Sequence, residues 1–186
     1  MNTRKALRQR LKQKEILMLP GVYDALTAKI ALSVGFEGLV MGGYGVAASR
    51  LGEPDVGYLS MTEMAEALRG IKRAANVPLF ADGDTALSVM RTVREYEAAG
   101  ADAILFEDQV WPKRCGHMAG KQVIDAEEHA KKLRAAVDAK TDEDTIIIAR
   151  TDSRAVLGLD AAIERGKLYL ASGAEALFVE APQNEW

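Results

Sequence analysis

Apolar residues in this chain come in short runs, each stopped by glycine or by an acidic or polar residue: Ile16–Leu19, Gly38–Met41, Pro78–Ala81, Ala103–Phe106, Ile146–Ala149 and Ala176–Val179. Runs this short, often β-branched and bounded by turn residues, predict buried strands. The stretches between them follow a helical period. Asp24–Val34 carries Leu26, Ile30 and Val34 at four-residue spacing, and Met61–Ala75, Val89–Ala99, Asp125–Ala139 and Asp160–Ser172 behave similarly. Thr62 and Glu63 open one helix, and Asp125 with Glu128 has the look of a capping box. The phrases SVGFEGLV, AAGADAILF and ASGAEALFV each read as a helix end, a C′ glycine, a short connection and a strand.

Strands that alternate with helices imply right-handed βαβ units and a parallel sheet. Six such strands fit either an open doubly wound sheet or a closed barrel. No GxGxxG follows the first strand, so the dinucleotide-binding version lacks its fingerprint. A (β/α)₈ barrel needs eight strands and typically about 250 residues. This chain supplies six and stops at Trp186. The expected architecture is a single α/β domain spanning residues 1–186, a TIM-type barrel cut to about six βα units.

Charge removes some functions from consideration. The net charge of -3 with interspersed signs gives no electrostatic footprint for nucleic acid. The basic cluster Arg4, Lys5, Arg8, Arg10, Lys12 and Lys14 follows no apolar signal core and reads as a solvated helix face. No apolar run approaches the roughly 20 residues of a membrane span. One cysteine cannot form an intrachain disulfide, and a reducing cytoplasm is the expected location.

In parallel α/β folds, chemistry collects at the carboxyl ends of strands. Here those ends carry Gly42-Gly43-Tyr44-Gly45, Asp82-Gly83-Asp84, Glu107-Asp108, Arg150-Thr151-Asp152 and Glu180. Asp82 and Asp84, two apart, face one side if the strand continues. Close carboxylates repel, and a divalent cation relieves the repulsion. Mg²⁺, which takes a few carboxylates plus waters, fits such a cup with Glu107 completing it. The plainer alternative is that Asp84 caps the next helix. Gly42-Gly43 either exposes N–H groups to an anion or makes a tight turn. Arg150 either grips a substrate carboxylate or pairs with a structural acid.

The lone thiol, Cys115, lies in EDQVWPKRCGHMAGKQ, a loop too long for a plain βα connection. Lys113, Arg114 and His117 favour thiolate, and a thiol near neutrality is a competent general acid or base. The alternative is an inert buried cysteine. His117 either orients substrate or bonds within the loop, and His129, mid-helix, reads as structural.

KRCGH after EDQ, preceded by a D-x-D strand end and followed by ARTD, resembles the isocitrate lyase/phosphoenolpyruvate mutase superfamily. GVYDALTAKIA, GVAASRLGEPDVG and RAAVDAKTDEDTIIIARTDSRAVLGLDAAIERG are similar to its 2-methylisocitrate lyase branch and to 2,3-dimethylmalate lyase-like proteins. The resemblance implies a (β/α)₈ barrel and Mg²⁺-dependent chemistry, with Mn²⁺ as substitute, on small 2-oxo or 2-hydroxy acids. It implies a lyase that cleaves a carbon–carbon bond of a 2-hydroxy acid to a 2-oxo acid, such as pyruvate, and a second carboxylate. Relatives on the same scaffold imply two alternatives, a carboxyvinyl-carboxyphosphonate phosphorylmutase-like enzyme or an oxaloacetate decarboxylase. A third expectation is an inactive fragment.

By that resemblance Asp82 is the direct metal ligand, and Asp55, Asp84 and Glu107 hold the ion through water. Gly42, Gly43 and Tyr44 bind the pyruvyl carboxylate. Arg150 grips substrate, with Gly116, His117 and Glu180 beside it, and Cys115 is the acid on a mobile loop. The resemblance also implies a homo-oligomer, dimer or tetramer, in which a C-terminal helix swaps between subunits. Thr85-Ala86-Leu87-Ser88 stands where the family carries a glycine-rich, aromatic-containing tract.

Overall fold

The computed structural model describes residues 2–182 of the chain. Six parallel strands form one sheet in sequence order: β1 (Gly21–Val22), β2 (Leu39–Met41), β3 (Leu79–Asp82), β4 (Ala103–Glu107), β5 (Ile146–Thr151) and β6 (Ala176–Val179). A helix or helix pair follows each of the first five strands, so the chain is a run of consecutive βα units of a TIM-type barrel. Among the described residues β1 pairs only with β2 and β6 only with β5, which leaves the arc open.

Five of the six expected strands lie where the apolar runs place them. The first does not. Ile16–Leu19 lies outside the ladder, with Ile16 and Met18 turned to solvent, and the strand is the two-residue Gly21–Val22. Pro20 contributes only its carbonyl, which accepts from the Val40 N–H at 3.1 Å. The five expected helices appear as α2 (Ala25–Ser33), α4 (Met61–Ala74), α5 (Val89–Ala99), α6 (Ala126–Asp138) and α8 (Leu159–Ala171). Asp24 and Thr27 close a capping box on α2. Thr62 and Glu63 lie in the first turn of α4, as expected, and Ser60 with Glu63 closes its capping box. Asp125 accepts from the Glu127 and Glu128 amides of α6.

The stripe Leu26–Ile30–Val34 faces away from the sheet, with exposures of 67%, 54% and 69%. The small residues Ala28 and Ala31 are buried instead, which lets α2 lie close to its neighbours.

Helix α1 (Thr3–Arg10) corrects the reading of the basic cluster as a solvated face. Arg4 ion-pairs with Asp142 at 2.7 Å and donates to the carbonyls of Ala101 and Glu97. Arg8 pairs with Glu175 at 2.6 Å and donates to the Asp144 carbonyl. Fully buried Leu7 packs with Ala103, Ile146 and Ile148. The helix therefore closes the amino-terminal end of the sheet, opposite the candidate site.

Candidate active site

Helix α3 (Gly43–Leu51) springs directly from the β2 end, where the sequence shows only a glycine turn. No side chain caps it; the Gly43 N–H donates to Asp82 Oδ2 at 3.2 Å, at the positive end of the helix. A Cβ on Gly43 would lie 3.1 Å from Asp55 Oδ2 and 3.3 Å from Lys113 Nζ, so the glycine is there for close approach. Tyr44, 64% exposed, lines the rim of the cleft.

Strand periodicity does not bring Asp82 and Asp84 together. β3 ends at Asp82, and Asp84 adopts a left-handed backbone (φ 53°), donating its N–H to Asp82 Oδ1 at 3.1 Å. Aspartate tolerates that conformation better than most residues. At Gly83 a Cβ would meet Phe106 at 2.6 Å and the Leu105 carbonyl at 2.9 Å, so the turn requires glycine. The turn, with Asp55 from the α3–α4 connection, sets oxygens of Asp55, Asp82 and Asp84 within 4.8 Å of one another. Glu107 stands outside this trio. Its Oε2 accepts from Gln109 at 3.2 Å and lies 3.5 Å from Arg150 Nε, while buried Oε1 has no hydrogen-bond partner.

Lys113 is the residue whose placement the sequence reading misjudged. Its buried ammonium does not serve the thiol; it ion-pairs with Asp55 at 2.6 Å and with Asp84. Arg114 likewise turns back to the Ala119 carbonyl. Burial opposes the Lys113 charge, but Asp84, Asp82, Glu107 and Asp55 outweigh it and hold its pKa above the ordinary lysine value. Burial, with Asp82 beside it, pushes the Asp84 carboxyl up to about 7 in spite of Lys113. Burial also raises Glu107 well above its usual range, with Arg150 partly opposing.

Arg150 leaves β5 toward the same cleft. It is bidentate on buried Asp152, Nε to Oδ2 at 2.9 Å and Nη2 to Oδ1 at 3.2 Å, and Nη2 lies 3.3 Å from Glu180. In the sequence Asp152 stands out only as part of the strand end Arg150-Thr151-Asp152. Burial works against its charge, but the bonds from Arg150 and Lys121 keep its pKa below the ordinary value. Asp108, fully buried, accepts from Thr151, Arg165, Tyr169 and the Asp152 amide, and so fixes the end of β5. His129 is buried edge-on to Tyr169, away from the cleft, in keeping with a structural role.

The thiol loop lies over these groups. Gly116 packs so tightly that a Cβ would lie 2.3 Å from Glu180 Oε1 and 2.6 Å from Arg150 Nη2. His117 is 86% exposed, its Nε2 3.9 Å from Glu180. A cleft of about 470 Å³ is lined by Gly42, Gly43, Asp55, Asp82, Cys115 and Arg150, among others. The structure thus gathers every expected site residue at one end of the sheet, and all of them line this cleft except Asp84 and Glu107. A second cleft of about 430 Å³ opens on the other side of Asp84, lined by Tyr58, Met61, Leu87 and Trp111.

The donors suit a hard divalent cation. Three carboxylates converge, and Asp82 lines the cleft directly. Among the described residues the acidic groups Asp55, Asp82, Asp84, Glu107, Asp152 and Glu180 outnumber Lys113, Lys121 and Arg150, the lysines and arginine paired with them.

Residues 7–185 match the phosphoenolpyruvate phosphomutase family, and the chain belongs to it. It is 49% identical over 189 residues to 2,3-dimethylmalate lyase of Eubacterium barkeri, covering all of this chain and 65% of that protein. A crystal structure of a 2,3-dimethylmalate lyase, a member of the PEP mutase/isocitrate lyase superfamily, superposes with a TM-score of 0.94 at 36% identity, over 100% of this chain and 64% of that one. Phosphonopyruvate hydrolase in complex with oxalate and Mg²⁺ superposes with a TM-score of 0.90 at 34% identity, over 98% and 64% respectively. The chain thus spans just under two thirds of the length of these relatives.

Proposed function

We propose that the site is that of a Mg²⁺-dependent lyase cleaving a carbon–carbon bond of a small 2-hydroxy acid of the dimethylmalate or methylisocitrate type. One observation carries the reading: Asp82, Arg150 and the Cys115–Gly116–His117 tip line a single cleft. Asp82, with Asp55 and Asp84 near it, would hold Mg²⁺, and Glu107 would support it from behind. Bound there, the ion supplies positive charge for the oxygen on C2.

Arg150, set by Asp152, is aligned to pair with a substrate carboxylate. At the N-terminus of α3 the Tyr44 amide offers a donor to a second oxygen, beside the Gly43 amide that Asp82 engages. Glu180, between Arg150 and His117, is placed to take the C2 hydroxyl proton. As the C2–C3 bond breaks, its electron pair passes to C3 and the C2 oxygen becomes a carbonyl. The Cys115 Sγ–H then donates a proton to C3, releasing the second carboxylate. The loop tip over the cleft keeps water away from C3. The likeness to 2,3-dimethylmalate lyase supports a lyase over a mutase.

Calorimetric titration with oxalate, a planar dicarboxylate resembling the pyruvate enolate, tests the site. Binding is expected only with Mg²⁺ and is lost in Asp82→Ala. Formation of pyruvate or another 2-oxo acid from 2,3-dimethylmalate or 2-methylisocitrate tests the reaction. Oxalate binding that ignores Mg²⁺, or turnover unchanged in Cys115→Ser, overturns the assignment.

A further inference from the structure

The loop that carries Cys115 is gripped by its own stalk. It leaves and returns through an antiparallel bridge, Gln109 opposite Val123, with the Val110 N–H donating to the Gln122 carbonyl at 2.9 Å. Two buried side chains reach up from that stalk. Gln109 holds the residue before the thiol by both backbone groups. Its Nε2 donates to the Arg114 carbonyl at 2.9 Å, and its Oε1 accepts the Arg114 N–H at 3.0 Å. Lys121 holds the residue after the thiol, donating to the Gly116 carbonyl at 2.5 Å.

Each grip is anchored in the site. Gln109 Nε2 also donates to Glu107 Oε2 at 3.2 Å, on β4. Lys121 Nζ also donates to Asp152 Oδ1 at 2.9 Å, and Asp152 is the carboxylate that sets Arg150. An ammonium buried this deeply is costly unless its protons find acceptors. With the loop down, Lys121 has two. With the loop lifted it loses the Gly116 carbonyl, so its desolvation favours the loop-down state. So few bonds can also be broken and remade at each turnover.

We propose that Gln109 and Lys121 are positioning residues, a clamp that fixes the backbone on both sides of Cys115 and ties the loop's position to that of Arg150. The proposal rests on the lyase reading in taking Cys115 as the group to be positioned.

Alkylation of the thiol by iodoacetamide tests it without requiring turnover. Lys121→Met and Gln109→Leu should each speed alkylation about tenfold or more, by letting the tip lift. With 2,3-dimethylmalate, kcat should fall about tenfold to a hundredfold and KM by much less, because a displaced acid harms the chemical step and not the ground-state contacts. Lys121→Arg, which keeps a buried donor to Asp152 and Gly116, should recover most of kcat; a merely structural lysine would not show this split. Folded variants with alkylation within about twofold of the wild type would overturn the clamp.

Hydrogen exchange on the unmodified protein decides the matter even if the variants do not fold. The Arg114 amide, held by Gln109, should exchange far more slowly than an open loop amide, and exchange at the free rate overturns the proposal. A protected amide and a clamp-dependent thiol in a chain that cleaves no 2-hydroxy acid would support the clamp and retire the lyase reading.

Discussion

The ammonium of Lys113 stands 2.6 Å from Asp55 Oδ1, inside the group of carboxylates that the sequence points to as a cation site. A lysine that reads in the sequence as a neighbour of the thiol is a counter-ion to the acidic trio. It neutralises part of the charge that the trio concentrates.

Lys113→Ala therefore leaves Asp55 and Asp84 facing each other without a counter-charge. Breaking a buried pair in this way should cost about 3 kcal/mol. Added Mg²⁺ should recover much of the loss, because it takes over the neutralising role. Thermal melts with and without Mg²⁺ check this; equal melting temperatures for variant and wild type without metal would refute it.

The proton on Asp84 competes with a cation. A carboxyl pushed up to about 7 must ionise to bind metal fully. Mg²⁺ affinity should fall about tenfold per pH unit below that point, as calorimetry at pH 6, 7 and 8 would show. The sign for stability runs the other way. The folded pKa lies above the ordinary 3.8, so the folded chain binds this proton more tightly than the unfolded one. The stability from Asp84 is present at low pH and is lost as pH rises from about 4 to about 7 in metal-free protein.

Gly116→Ala should spare the fold and damage the site. The new methyl would fall onto Glu180 and Arg150, so the tip must move off the cleft. Under the proposed lyase function, turnover of 2,3-dimethylmalate is expected to drop about a hundredfold, with a melting temperature within a few degrees of the wild type. Undiminished turnover would show that the tip need not approach these groups.

Leu7→Ala removes the one fully buried side chain of α1. It should destabilise the chain by about 2–4 kcal/mol, read as a lower urea midpoint. No change would mean that α1 is seated by its arginines alone.

Much of the fold was legible because β2 to β6 are apolar runs stopped abruptly by charge or glycine, although β6, at the open edge of the arc, is only partly buried, with Phe178 exposed. The first strand was not. Only Gly21 and Val22 pair, whereas the more apolar Ile16–Leu19 merely alternates, with Leu17 and Leu19 packing partly inward. Helix α3 hid behind three glycines that read as a turn. In the site, strand ends named Asp82, Glu107 and Arg150 directly. Spacing gave the wrong reason for the convergence of Asp82 and Asp84, since a left-handed residue brings it about. Asp108, Gln109, Lys121 and the true partner of Lys113 left no periodic signal, because their contacts reach across loops. The pairing of EDQ with ARTD was the available clue: Asp108 grips the amide of Asp152.

The contacts of α1 bear on how the chain acquires its shape. Thr3 bonds Asp102, Arg4 bonds Asp142 and Arg8 bonds Glu175, across separations of 99, 138 and 167 residues. The arginines of α1 find these acceptors only once Asp142 and Glu175, far along the chain, are in place. Local βα units can form independently, but α1 seals the base of the sheet only when these distant segments have met. Such long-range closure slows folding and ties the seating of α1 to segments about a hundred residues and more away.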